Sequence, residues 1–229
     1  MRKLLILPMV LLFATTMVAQ NQDDASAQKF ALGIQGGTQG LGINGAYAFT
    51  NQLGLRLSTN MASFGMSDVR SWNSNEYNLD MKSKFSNAML QAEYRPFNFA
   101  NESRFLQKLA VTAGAAYFFK SKANATGTPS NNYALGDLTI NKEDIGTIQT
   151  ETKWKSFAPY AGLGLRQMKI KNKLSLNADL GSHYLSSPDV TLTGDKQLSG
   201  NESNQAILQN NLSSYRWLPV VQLGLSYQL

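Results

Sequence analysis

The chain is 229 residues long, with Lys+Arg 21 against Asp+Glu 15 for a formal net charge of +6, and it holds no cysteine. That length suits one domain. The missing cysteines exclude a disulfide framework and any thiolate metal centre, and so modest a positive excess gives no reason to expect a nucleic-acid partner. A mean hydropathy of −0.25 does not separate a soluble protein from a β-barrel, which hides its greasy face by alternating it with polar residues.

Arg2 and Lys3 form a positive n-region before an apolar run from Leu4 to Val18, with Ala19 as a small residue at a cleavage position. The run is shorter than the ~20 apolar residues of a spanning helix, so residues 1–19 read as a signal peptide. Residues 20–29 are polar and read as a flexible periplasmic tail, which leaves 30–229 as one barrel domain. Alternation with a period of two then begins. The first expected strand carries Phe30, Leu32 and Ile34 on one face, and the second Leu41, Ile43, Tyr47 and Phe49. The third sets Leu53, Leu55 and Leu57 against Arg56 and Ser58. The fourth sets Ala88, Leu90, Ala92 and Tyr94 against Gln91, Glu93 and Arg95. In the fifth, Leu109, Val111, Tyr117 and Phe119 oppose Thr112, Gly114 and Ala116; in the sixth, Phe157, Pro159, Leu163 and Leu165 oppose Tyr160, Gly162 and Arg166. The seventh places Leu174, Leu176, Leu180 and Tyr184 against Asn177, Asp179 and His183. The eighth is the most regular: Trp217, Pro219, Val221, Leu223, Leu225, Tyr227 and Leu229 are all apolar or aromatic.

The connections near residues 50–52 and 170–172 are short, and the one over 96–104 is moderate. Those over 62–82, 121–155 and 185–213 are long, polar and rich in Asn, Ser, Thr and Gly. Apart from a short connection near 38–40, long and short links fall on opposite ends, as in outer-membrane barrels with external loops and periplasmic turns. No water satisfies an open sheet edge in hydrocarbon, so the first and last strands must pair. The expected fold is all-β: an eight-stranded antiparallel up-and-down transmembrane β-barrel in the outer membrane, both termini periplasmic. A secreted soluble barrel or sandwich is the rival. Against it, the less greasy face is dominated by Gly, Ala, Ser and Asn, which suit a narrow lumen.

On these residues the chain resembles the small outer-membrane β-barrel proteins of Gram-negative bacteria, the OmpA/OmpX/OmpW type. The stretch from Val221 to Leu229 is similar to the terminal signal read by the barrel-assembly machinery, with Leu225, Tyr227 and Leu229 on the outward face. Leu229 stands where that signal usually has an aromatic residue. The strand from Phe157 to Leu165 is similar to the "APYLGLG" strands of uncharacterised members. The resemblance implies outer-membrane lipids and lipopolysaccharide as surroundings, and the assembly machinery and periplasmic chaperones as partners during biogenesis.

Several constellations could carry chemistry. Arg56, Glu93, Arg95, Arg166 and Asp179 all fall on lumen positions, where they form either a gate or, as expected here, a network of paired charges filling a narrow barrel. Phe118 and Tyr160 also point inward, with His183 near the external mouth; they either line a small apolar cavity or pack. His183, the single histidine, has Ser182, Ser186, Ser187 and Asp189 nearby in sequence, but no G-x-S-x-G elbow accompanies it and its base would face away from lipid. Asp137, Glu143 and Asp144 offer oxygen ligands without an EF-hand spacing and read as a solvated loop face. Outward aromatics read as interfacial girdles, and Arg95, Arg104, Lys108, Lys169, Lys171 and Lys173 as a basic collar on the short-turn side. No metal and no cofactor is expected. The function expected is structural or surface-interacting, through the long loops, with an unknown external partner. A narrow OmpW-like transporter of small or apolar molecules is the alternative, and a lipid A-modifying enzyme the weaker one.

Overall fold

The computed structural model describes residues 30–72, 75–97, 103–135 and 138–229. The expected signal peptide (1–19) and tail (20–29) lie outside these. The described chain folds into strands β1 (Phe30–Gly37), β2 (Gly40–Ala48), β3 (Leu53–Trp72), β4 (Asn75–Tyr94), β5 (Leu109–Pro129), β6 (Tyr133–Leu135) and β7 (Leu138–Ile140). There follow β8 (Ile148–Lys153), β9 (Phe157–Lys171), β10 (Leu174–Tyr184), β11 (Asp189–Gly194) and β12 (Trp217–Gln228). Eight of them close a barrel in the order β1–β2–β3–β4–β5–β9–β10–β12, every pairing antiparallel. Closure is made between the first and last strands, Ala31 opposite Gln228 through Gly37 opposite Gln222, and the Leu229 amide donates to the Phe30 carbonyl (3.1 Å). Phe30 and Leu229 therefore lie together at one end of the barrel, the near end; the β1–β2 turn lies at the far end.

The alternation seen in the sequence sorts side chains between two unlike environments. Leu32, Ile34, Leu41, Ile43, Leu57, Leu90, Leu163 and Leu180 are exposed on the outside, Leu41 to 77% and Leu180 to 62%. Arg56, Asn60, Gln91, Glu93, Arg166 and Gln222 are buried inside. A water-soluble protein does the reverse, because removing apolar surface from water is its main driving force. An apolar belt around a polar interior is stable only where hydrocarbon surrounds the belt.

The strands are longer than the sequence pattern suggested, and the residue ranges 62–82, 121–155 and 185–213 are not irregular loops throughout. The pairing of β2 with β3 stops at Leu41 opposite Met61, whereas β3 and β4 remain paired up to Trp72 opposite Asn75. The near half of β5 pairs with β9 and its far half with β8, from Lys122–Lys153 to Gly127–Ile148. Since β8 also pairs with β11, a five-stranded sheet β3–β4–β5–β8–β11 rises beyond the barrel at the far end. The segment after β11 is a 3-10 stretch (Lys196–Asn204) followed by an α-helix (Gln205–Leu212). It lies along β11: Gln209 accepts from the Val190 amide (2.8 Å), and Gln205 accepts from the Leu192 amide (3.1 Å).

Candidate functional site

The lumen is the place where chemistry-bearing side chains converge, and inward-facing residues of each strand supply them. Nearest the termini, Glu93 on β4 sits between two guanidiniums. Its Oε1 accepts from Arg56 Nε on β3 and from Arg166 Nε on β9, both at 2.7 Å. Arg166 also reaches the Asp179 carboxylate on β10 and the Ala178 carbonyl (3.0 Å). The Arg166 guanidinium lies over Gly164, whose missing side chain leaves room for it. The structure thus joins four of the five inward charges singled out in the sequence. Arg95 stands slightly apart, its Nη1 donating to Gln167 Oε1 (3.2 Å).

The charges continue into a ladder of amides, none of them among the candidate residues above. Arg56 Nη1 donates to Asn44 (3.2 Å), Asn44 to Gln35 (2.8 Å) and Gln35 to Asn60 Oδ1 (2.6 Å). Gln222 also donates to that oxygen (3.1 Å), and Asn60 Nδ2 donates to Gln39 (3.0 Å) and Asn87 (3.1 Å). Gln39, in the β1–β2 turn, closes the ladder on His183 Nε2 at 2.7 Å. Because an amide N–H faces Nε2, that nitrogen accepts and the ring carries its proton on Nδ1. Apart from Gln39 in the turn, these residues share the lumen parity of their strands, so alternation was the available signal; their mutual hydrogen bonding was not.

At the far end the filling becomes aromatic. His183 lies 5.4 Å from Phe118 and 5.1 Å from Tyr160, ring centroid to ring centroid. Phe118 meets Phe85, which meets Trp154 at 5.9 Å, and Met89, Leu185 and Val220 complete the cluster. Tyr160 fits because Gly162 and Gly181 lie beneath it: a Cβ at either would stand 2.5 Å from its hydroxyl. Phe118, Tyr160 and His183 are therefore packed together in one buried cluster. Neither a serine hydroxyl nor a carboxylate bonds the His183 ring among the described residues. Ser182 Oγ donates to the Leu218 carbonyl (3.1 Å), and Ser186 Oγ accepts from the Lys155 amide (3.0 Å).

Other residues named from the sequence lie elsewhere. Asp137 is outside the described residues. Glu143 and Asp144 sit on a single helical turn, Lys142–Ile145, and among the described residues no cluster of three or more His, Asp or Glu is placed to hold a metal. Leu225, Tyr227 and Leu229 point outward from β12 and its end. Lys173 lies over the Tyr227 ring at 5.8 Å. Near the termini the lumen opens into a vestibule lined by Arg56, Glu93, Arg95, Arg166, Gln167 and Gln228, among others.

A closed eight-stranded antiparallel barrel with an apolar outside and a hydrogen-bonded polar inside is a small outer-membrane β-barrel protein. Solved structures of that class resemble it over most of its length. The crystal structure of Acinetobacter baumannii CarO is 27% identical, covering 87% of this chain and 97% of its own, with a TM-score of 0.61. The crystal structure of Acinetobacter baumannii CarO2 is 25% identical, covering 87% of this chain and 98% of its own, with a TM-score of 0.63. No protein-family model matches the chain, and no curated protein does.

Proposed function

We propose that this barrel serves the outer membrane as a structural and surface-interaction protein, acting through its far-end sheet outside the cell, with both termini in the periplasm. The observation that carries this reading is the contrast between the two parts. The lumen is crossed from wall to wall by the charge and amide ladder and then by packed rings, whereas the far-end sheet offers surface. Phe64, Met66 and Val69 on β3 are each exposed to 50% or more. Above Met61 the edge of β3 away from β4 pairs with no strand among the described residues, and an unpaired edge is a template for a partner. The opposite edge of the same sheet, β11, is covered by the amides of Gln205 and Gln209. Outer-membrane lipids and lipopolysaccharide surround the belt, and Leu225, Tyr227 and Leu229 on the last strand serve as the signal to the assembly machinery. Orientation is tested with single cysteines, since the chain has none of its own. Val69→Cys should react with a membrane-impermeant maleimide on intact cells and Lys171→Cys only after the outer membrane is opened; the converse would invert the reading.

One observation favours a narrow transport path as a second reading. The β1–β2 hairpin turns at Thr38–Gln39, well below the far ends of β3 and β12, so the wall is low there and Gln39 stands at its top. A lateral path would have to displace the Gln39–His183 contact. Uptake of an apolar solute that increases in Gln39→Ala would support it.

A further inference from the structure

The near-end vestibule holds more positive charge than its ion pairs use. Glu93 and Asp179 are occupied by Arg56 and Arg166, and Glu93 is held by both. That leaves the guanidinium of Arg95, 9% exposed and bonded to a neutral amide, with no carboxylate within ion-pair distance among the described residues. Lys108, at the end of the 3-10 turn Leu106–Lys108, and Lys169 on β9 approach the same rim, and neither has an acidic partner among the described residues. Like charges crowded together in a half-buried place raise the energy of the empty site, and an anion lowers it.

The backbone is bent to build this place. Gln167 adopts φ 53°, a left-handed conformation that non-glycine residues rarely take, where the β9–β10 register shifts. Strain of this kind persists where the surroundings over-determine it. Here the Gln167 amide donates to Asn177 Oδ1 (3.0 Å), and its side-chain oxygen accepts from Arg95. Asn177 Nδ2 in turn donates to Ser226 Oγ (2.8 Å), and Ser226 and Gln228 both line the vestibule. The bulge thus holds Arg95 in place, and guanidinium, hydroxyl and amide donors face one opening.

We propose that the near-end vestibule is an oxyanion-binding site in which Arg95, Ser226 and Gln228 take the anion's oxygens and Lys108 and Lys169 supply charge at the rim. Glu93 also lines the vestibule, but its charge is met by two guanidiniums. A phosphate-type oxyanion can come free in solution or as a lipid headgroup, and both present the same chemistry to these donors.

The test uses the refolded chain in a neutral maltoside detergent, in phosphate-free buffer, with inorganic phosphate as probe and the denaturant midpoint as readout. Wild type should gain stability saturably with phosphate and lose that gain at high salt. Arg95→Gln should weaken the apparent affinity about tenfold, the amount one charge-assisted hydrogen bond carries, while Lys173→Gln, on the far side of the β9–β10 turn, changes it less than about twofold. Lys108→Gln, should Arg95→Gln fail to fold, reads the same effect. This variant adds a signature of its own: in the absence of phosphate it is as stable as wild type or more so, because it removes a repelled charge. A second arm compares phosphatidylcholine vesicles with and without phosphatidylglycerol. A gain from free phosphate in detergent identifies a dissolved anion, and a gain only with phosphatidylglycerol identifies a headgroup; either supports the site. Equal gains in wild type, Arg95→Gln and Lys108→Gln, or no gain in either arm, would overturn it.

Discussion

Glu93 is the residue on which the lumen's electrostatics turn, because one of its oxygens serves both Arg56 and Arg166. Removing one member of a buried ion pair costs about 3–5 kcal/mol, since the charge left behind has lost its compensation. Glu93→Gln leaves Arg56 with no carboxylate and Arg166 with Asp179 alone, whereas Arg56→Ala leaves the carboxylate still held by Arg166. Glu93→Gln should therefore lower the denaturant midpoint more than Arg56→Ala, and both should lower it more than they alter conductance. A large conductance gain at unchanged stability would instead make the charges a gate. Lys108 gives the opposite sign. Burial, then the neighbouring Arg95 and Lys169, hold its ammonium below the usual lysine range. The folded state thus disfavours the charged form, a penalty present at neutral pH that disappears as pH rises through the lowered value toward the ordinary ~10.4. Stability should rise over that alkaline window in wild type, and Lys108→Gln should flatten the rise when unfolding is followed against pH.

At the scale of elements, the far-end sheet protects one edge and, among the described residues, leaves the other open. The helix Gln205–Leu212 satisfies β11 with side chains: besides the two amide acceptors, Gln209 Nε2 donates to the Pro188 carbonyl (2.6 Å). Replacing both glutamines with alanine should expose that edge. Hydrogen exchange at the Val190 and Leu192 amides should then speed by about fivefold, each lost bond being worth about 1 kcal/mol, with Ala110 and Val220 in the barrel unchanged. Unaltered exchange at 190 and 192 would mean that the helix backbone, not these side chains, covers the edge. The barrel strands were legible because lipid on one side and a crowded lumen on the other force a period of two, and β10 keeps the expected bounds, Leu174–Tyr184. The upper parts of β3, β4 and β5 were not legible because beyond the membrane the contrast vanishes. Ser67, Asp68, Val69, Arg70 and Ser71 are all exposed, and a polar run of this kind reads as loop. The charges of the lumen were legible by parity alone, since an arginine pointing inward must find a partner. The amide ladder was not, because Gln35, Gln39, Asn60 and Gln222 come from β1, the β1–β2 turn, β3 and the last strand, and a sequence does not show how a closed sheet rotates them toward each other.

At the scale of the molecule, the charge pairs, the amide ladder and the aromatic cluster obstruct the lumen in series, and a path in series is limited by its narrowest part. Deleting one layer should therefore weaken the barrel without opening it. Phe118→Ala with Tyr160→Ala empties most of the far layer, and large-to-small changes in a packed core typically cost about 3–5 kcal/mol for each such ring. Gln39, Asn60, Asn87 and Gln222 still span the lumen below, joined by hydrogen bonds of 3.0–3.1 Å. In planar bilayers the unmodified chain and this double variant should both remain without stable conductance steps, although the variant unfolds at lower denaturant. Steps that appear in the double variant alone, in protein still folded by its heat-modifiable band, would locate the whole barrier in the rings. The amide ladder would then be permeable as it stands, and the near-end vestibule would become the inner mouth of a channel.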